Sequence, residues 1–250
     1  MARTSGEPPR ESALRLTNPE RLSPVAENYL LSLYVLGEEG LRATAGQLAD
    51  HLKSLPLGEG LGTTLPSVLG MLRRMAREGL LELTSDKEMK LTPLGTARAE
   101  GMVRRHRLAE RMVVDLLGLE PYKAHEHAHR LEHAISEELA EKIAERLGHP
   151  TTCPFGHPIP GSGFVRDKLT VPLSKVVSGT TVTIDRIPED DRKLLEYFVA
   201  NKVMPGVRAL VKDAAPYRGV VTLATGAGDV VMSYDVAQRI WVTPVGVPMA

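Results

Sequence analysis

The sequence predicts a mainly α-helical chain that ends in a small β-domain, and three observations carry that prediction. Apolar residues recur at helical spacing through most of residues 24–147. A connection over residues 148–164 then breaks the pattern with four prolines and four glycines. Beyond it, β-branched residues alternate with turn residues in short runs, the texture of a small β-barrel.

Composition sets the outer bounds. A chain of 250 residues favours two domains. Acids and bases balance at 31 each, so bulk charge gives no argument for a nucleic-acid or membrane partner, although a local basic surface stays open. With 42% hydrophobic and 25% charged residues, the chain reads as a soluble globular protein able to bury a core. Its one cysteine rules out an internal disulfide framework and a cysteine-built zinc site. The first 20 residues lack the apolar stretch of a signal peptide, and no run approaches the roughly 20 residues that span a bilayer. A cytoplasmic location follows as the expectation.

Residues 1–20 carry Pro8-Pro9, Pro19 and mixed charges, and read as a disordered arm. From Pro24 to Gly40 the segment is an amphipathic helix, with Ser23-Pro24 as cap and first position. A short helix over Thr44–Leu52 follows, then a Gly/Leu-rich stretch, then a third helix from Leu65 that ends before Gly79. Two strand-like runs around Ser85-Asp86-Lys87 complete the order of a winged helix-turn-helix over residues 21–95. The third helix carries Arg73, Arg74 and Arg77 and no acid between Leu65 and Arg77, which suits phosphate or guanine contacts. On spacing alone, a solvated basic face fits equally well.

Helix is expected again from about Thr96 to Leu116 and from Pro121 to Leu147, giving a second helical domain over residues 96–150. A linker at 151–168 and a β-domain at 169–250, interrupted by the helical patch RKLLEYFVANKV, complete the chain.

The histidines are the informative residues. Of eight, His125, His127, His129 and His133 fall within one short segment, and His106 lies upstream. On a helix, His129, Glu132 and His133 share one face, His125 joins it one turn earlier, and His127 points away. His106 and Glu110 form a separate pair one turn apart. Imidazole and carboxylate donors from two helices, without sulfur, suit Mn, Fe, Co, Ni or Zn. His125-Glu126-x-x-His129 also matches the zinc metallohydrolase pattern, with Glu126 as general base. Against that reading, Glu132 and His133 prolong the ligand face, and a winged-helix pattern precedes it. A metal-binding protein without DNA function is the other alternative.

The segments VAENYLLSLYVLGEEG, REGLLELTSDKEMKLTPLGTARAEGMVRRHRLAERMVVDLLGL, HEHAHRLEHAISEELAEKI and CPFGHPIPG together resemble the diphtheria-toxin-repressor family of metal-dependent transcriptional regulators, over about residues 22–245. The resemblance implies a winged helix, a helical dimerisation and metal-binding domain, and an SH3-like β-barrel. It implies a principal metal site at Asn28, His129, Glu132 and His133, and a second at His106, Glu110 and His125. Further ligands from the SH3-like domain fall on the acidic patch Glu189-Asp190-Asp191, with Asp190 and Asp191 as the assigned pair. It implies a homodimer that binds palindromic operator DNA when a divalent metal is bound, with Ser67, Arg73, Arg74 and Arg77 as the DNA contacts.

Three departures from the family pattern matter. The first-helix ligand position, Met in iron-type and Asp in manganese-type members, is Asn28. The position held by Cys or Glu is His129, so neither soft sulfur nor carboxylate is supplied there. Mn²⁺ is the expected metal on that ground, with Fe²⁺ as alternative. Leu31 stands where the manganese type has an extra carboxylate, so its two-metal arrangement is not expected. The third departure is an insertion at about Leu55–Leu61, before the recognition helix.

Overall fold

The computed structural model describes residues 22–41, 43–55 and 61–246. The arm expected at residues 1–20 and most of the Leu55–Leu61 insertion lie outside the described residues.

Three helices and a hairpin build the N-terminal part. Helix α1 (Pro24–Glu38) is capped by the Ser23 hydroxyl, which accepts from the Ala26 amide, and opens on Pro24, where no amide is needed. Helix α2 (Ala45–Ser54) starts on a reciprocal cap between Thr44 and Gln47. Helix α3 (Leu65–Arg77) buries Val68, Leu72 and Met75 and leaves Ser67, Arg73, Arg74 and Arg77 exposed. Strands β1 (Leu81–Leu83) and β2 (Met89–Leu91) pair antiparallel as the wing. Leu30, Leu48, Leu52, Val68, Met75 and Met89 share one core, so helices and hairpin move as a unit.

Helix α4 (Pro93–Arg111) begins earlier than the expected Thr96, because the Thr92 hydroxyl caps it by accepting from the Gly95 amide at 3.0 Å. Gly95 is required there: a Cβ would lie 1.8 Å from the Leu80 carbonyl oxygen, so any side chain would push α4 off the wing. The helix widens into a π-helical turn at Met112–Leu116. A 3₁₀ turn (Pro121–Lys123) leads into helix α5 (Ala124–Leu131), and helix α6 (Glu137–Arg146) follows. The continuous helix expected to Leu147 is therefore broken. Ser136 starts α6 afresh, its hydroxyl accepting from the Leu139 amide, with Glu137 and Glu138 favourable in the first turn. Apolar periodicity runs across such a break and does not reveal it.

The C-terminal part contains strands β3 (Val171–Pro172), β4 (Thr181–Arg186), β5 (Arg208–Ala215), β6 (Val220–Thr225), β7 (Gly228–Ser233) and β8 (Trp241–Pro244), with helices α7 (Arg192–Ala200) and α8 (Tyr234–Arg239). They form one antiparallel sheet in the order β3-β8-β4-β5-β6-β7, the SH3-like arrangement. The Pro/Gly connection is laid along β4: the Ile187 amide donates to the Phe155 carbonyl at 3.0 Å. Gly156 makes this possible, since its φ is +88° and a Cβ would lie 1.9 Å from the Asp185 carbonyl oxygen. Phe155 thereby enters the sheet's core together with Val113 and Ala124 from the helical region. That shared core brings the loop after β4 against α4 and α5. No described helix is long and apolar enough to cross a membrane.

Candidate metal centre

Helix α4 presents His106 and Glu110 one turn apart, and α5 presents His125 and His129 one turn apart. Glu132 lies just past the end of α5 yet keeps helical backbone angles, φ −53° and ψ −36°, so it still follows His129 by one turn. His133 leaves that line and reaches α1. The single helical stripe expected from the sequence is thus two faces, because α5 stops at Leu131.

The side chains interlock. His106 Nδ1 lies 2.5 Å from Glu132 Oε2, and its Nε2 lies 3.1 Å from Glu110 Oε1 and 3.2 Å from His125 Nδ1. His129 joins through Nε2, 3.2 Å from His125 Nε2, and through Nδ1, 3.2 Å from Glu132 Oε1. Donor atoms of His106, His125 and His129 all lie within 4.8 Å of one another, and so do those of His106, Glu110, His125 and Glu189. The two ligand sets that the resemblance separates are here joined, with His129 and Glu132 turned toward His106. Asn28 and His133 form the far pole: the Asn28 amide nitrogen lies 3.0 Å from His133 Nε2, and His133 Nδ1 donates to Glu27 Oε2 at 2.7 Å.

The charges follow from burial and neighbours. Burial opposes a charge on His106, but the Glu110 and Glu132 carboxylates outweigh it and hold the imidazole well above its usual range. Burial alone would raise Glu110 and Glu132; the surrounding imidazoles, His106 first, instead hold both well below the carboxylate range. Burial pushes His129 down to about 4, against the pull of Glu132. Burial, then the Glu110 charge, raises Glu189 to about 7. Two fully buried carboxylates face the His106 ring, and Glu110 Oε2 has no hydrogen-bond partner. A buried cluster of carboxylate and imidazole donors with an unpartnered carboxylate oxygen fits a divalent cation.

Two of the assigned ligands have other partners in this structure. Asp190 Oδ1 is held by Arg239 at 2.5 Å, and Asp191 caps α7, accepting from the Lys193 and Leu194 amides. Helix capping and an ion pair consume both, whereas Glu189, buried and bordering the histidines, is the acid of that patch that turns inward. One sulfur borders the cluster without entering either donor group of the described residues. The Cys153 thiol, fully buried, donates to Glu189 Oε2 at 3.5 Å. Glu126, the general base of the hydrolase reading, instead pairs with Arg130 at 2.6 Å and Arg192 at 3.4 Å, away from the imidazoles.

Sequence reasoning missed the residues that fasten α1 to this cluster. Arg105 donates to Glu27 Oε1 at 2.8 Å. Buried Arg107 grips both oxygens of Glu38, with Nη1 at 3.1 Å from Oε1. The available signal was the unbroken basic run Arg104–Arg105 and Arg107 opposite acids at both ends of α1, but charge alone does not pair them.

Three comparisons bear on this architecture. Residues 92–161 match the model "Iron dependent repressor, metal binding and dimerisation domain", and residues 171–244 match the FeoA domain. The chain is 30% identical over 237 residues to the iron-dependent repressor IdeR of Mycobacterium leprae, spanning 90% of this chain and 99% of that protein. The chain belongs to the iron-dependent repressor and diphtheria toxin repressor family. The diphtheria toxin repressor of Corynebacterium diphtheriae is a further relative of the family, 30% identical over 230 residues that span 88% of this chain and 96% of that one. Among solved structures, a manganese-dependent transcriptional repressor in complex with manganese superposes with a TM-score of 0.77 at 29% identity, covering 88% of this chain and all of that one.

Proposed function

We propose that this protein is a homodimeric transcriptional regulator whose binding to operator DNA is activated by a divalent metal, with Mn²⁺ as the acting ion and Fe²⁺ as the alternative. The observation that carries the reading is the contact between Asn28 on α1 and His133 beside the buried cluster, because it links the DNA-binding unit directly to the ligand set. Membership of a metal-dependent repressor family supports it.

In this reading Asn28, His129, Glu132 and His133 hold one metal, and His106, Glu110, His125 and Glu189 hold a second. A bound cation supplies the positive charge that these buried carboxylates lack. The chain's own residues do the rest. Glu27 orients His133 through Nδ1, leaving Nε2 as its donor. Arg105 and Arg107 keep both ends of α1 against α4, so a small change at Asn28 turns the whole winged helix rather than one side chain. Ser67, Arg73, Arg74 and Arg77 on the exposed face of α3 contact DNA, with Arg74 first released from Glu78, 2.8 Å away. Two such helices in a dimer meet successive major grooves about 34 Å apart. Exposed Leu94, Leu116, Leu117 and Leu139, all within the dimerisation segment, are the apolar surface for the partner.

The donor set favours Mn²⁺ or Fe²⁺ through its carboxylates and imidazoles. The test is a fluorescence-anisotropy titration of the protein on DNA from its own upstream region, with and without Mn²⁺ or Fe²⁺. Metal-stimulated binding is expected. Equal binding under all conditions, or none, overturns the reading and leaves a metal-binding protein without DNA function.

A further inference from the structure

A second polar site lies on the far side of the connection, where the Pro/Gly segment meets the sheet. A cavity of about 320 Å³ is bordered by Arg166, Arg186 and Trp241, and also by Asp167, Asp185 and Thr170. The two guanidinium carbons lie 4.9 Å (Arg166) and 5.0 Å (Arg186) from the centre of the same indole ring. Neither guanidinium has a carboxylate within ion-pair distance among the described residues. Arg186 is 5% exposed, and its Nη1 has no hydrogen-bond partner.

The acids that border the cavity, Asp167 and Asp185, carry hydrogen bonds of their own, and Glu38, Glu39 and Glu189 act on Arg186 only beyond ion-pair distance. Asp185 Oδ2 accepts from the hydroxyls of Thr243 at 2.5 Å and Thr170 at 3.5 Å, and Asp167 accepts from the Leu169 amide. Burying a guanidinium beside a second one is costly, and cation–π contact with one ring supplies no hydrogen-bond acceptor. An oxyanion does. Its oxygens accept the fork of N–H donors that arginine presents, and its charge relieves the repulsion between the two.

We propose that the cavity bordered by Arg166, Arg186 and Trp241 binds a small oxyanion, a phosphate or a carboxylate, at a site separate from the metal centre. Its occupant bridges the linker, which carries Arg166, to β4, which carries Arg186. The site therefore couples the linker to the sheet whose next loop holds Glu189.

The chain has a single tryptophan, so intrinsic fluorescence reports this site directly. The full-length, metal-free protein is titrated with inorganic phosphate and, separately, with malonate, each at ionic strength held constant with sodium chloride. A saturable change in Trp241 emission with millimolar half-saturation is expected for at least one, and the tighter of the two identifies the oxyanion class. Arg166→Gln, at an exposed position, raises the half-saturation roughly tenfold, the equivalent of about 1.4 kcal/mol. Arg186→Gln, checked for folding by circular dichroism, does the same or more. A response no larger than that to chloride, or an Arg166→Gln variant that binds as tightly as the parent, overturns the assignment.

Discussion

The side-chain nitrogen of Asn28 lies 3.0 Å from His133 Nε2 and donates to the Pro24 carbonyl at 2.9 Å. The pair joins the N-terminal half of α1 to His133, between the two units of the proposed switch. Asn28→Ala removes the link while costing only about 1 kcal/mol of stability. Metal stimulation of DNA binding, read as the ratio of affinities with and without Mn²⁺, is expected to fall at least tenfold toward unity. A variant with the parent's ratio refutes Asn28 as the coupling residue.

In the proposed site, His106 sets the pH dependence of metal binding. Its proton is retained in the metal-free protein above the usual imidazole range, because Glu110 and Glu132 outweigh the burial penalty. A metal ligand must be unprotonated, so binding displaces that proton, and apparent affinity rises with pH above 6.5, by up to about tenfold per unit. Calorimetry in buffers of different ionisation enthalpy should show release of about one proton for the site that contains His106. The metal-free fold carries the opposite sign. The raised pKa contributes stability that is fully present below about 6.5 and is lost as pH climbs through the folded value. Metal affinity that is flat between pH 6 and 8 would falsify the role of His106.

Arg107 holds the C-terminal end of α1 through Glu38, and it is 1% exposed. Arg107→Met leaves the Glu38 carboxylate unpaired beside buried surface, a loss of about 3 kcal/mol for a truncated buried pair. The midpoint of urea unfolding should drop accordingly, with the slope unchanged. A midpoint equal to the parent's would show that the clamp contributes nothing net.

On α3, Arg77 is exposed and makes no ion pair among the described residues. If it neutralises one phosphate, Arg77→Ala lowers the slope of log affinity against log salt by about 1, and does so for operator and unrelated DNA alike. Loss confined to the operator would instead make Arg77 a base reader.

Leu117 is 63% exposed in the dimerisation segment. Leu117→Glu places a charge in the proposed interface, and sedimentation should shift toward the monomer mass. An undisturbed dimer moves the interface elsewhere.

Much of the fold is legible because its signals are local. Ser23-Pro24, Thr44 with Gln47, and Gly79 mark helix ends through hydrogen bonds or angles that span a few residues. The break at Ser136 is also local in origin, yet apolar periodicity outweighs it by eye. The histidine cluster is legible for the same reason: spacing of one turn places His125 with His129 and His106 with Glu110 wherever the helices lie.

Sequence by itself determined the type of elements, their order and the imidazole–carboxylate character of the centre. The tertiary structure alone decided which acid completes it and what holds α1 in place. Glu189, Asp190 and Asp191 are near-equivalent as residues. A helix cap takes Asp191, Arg239 takes Asp190, and the pairing of Ile187 with Phe155 carries Glu189 inward. Likewise Glu27 and Glu38 become partners of Arg105 and Arg107 only once α1 packs on α4. Each of these choices depends on distances between segments remote in the chain, and those distances are fixed by the packing of the shared cores rather than by any local preference.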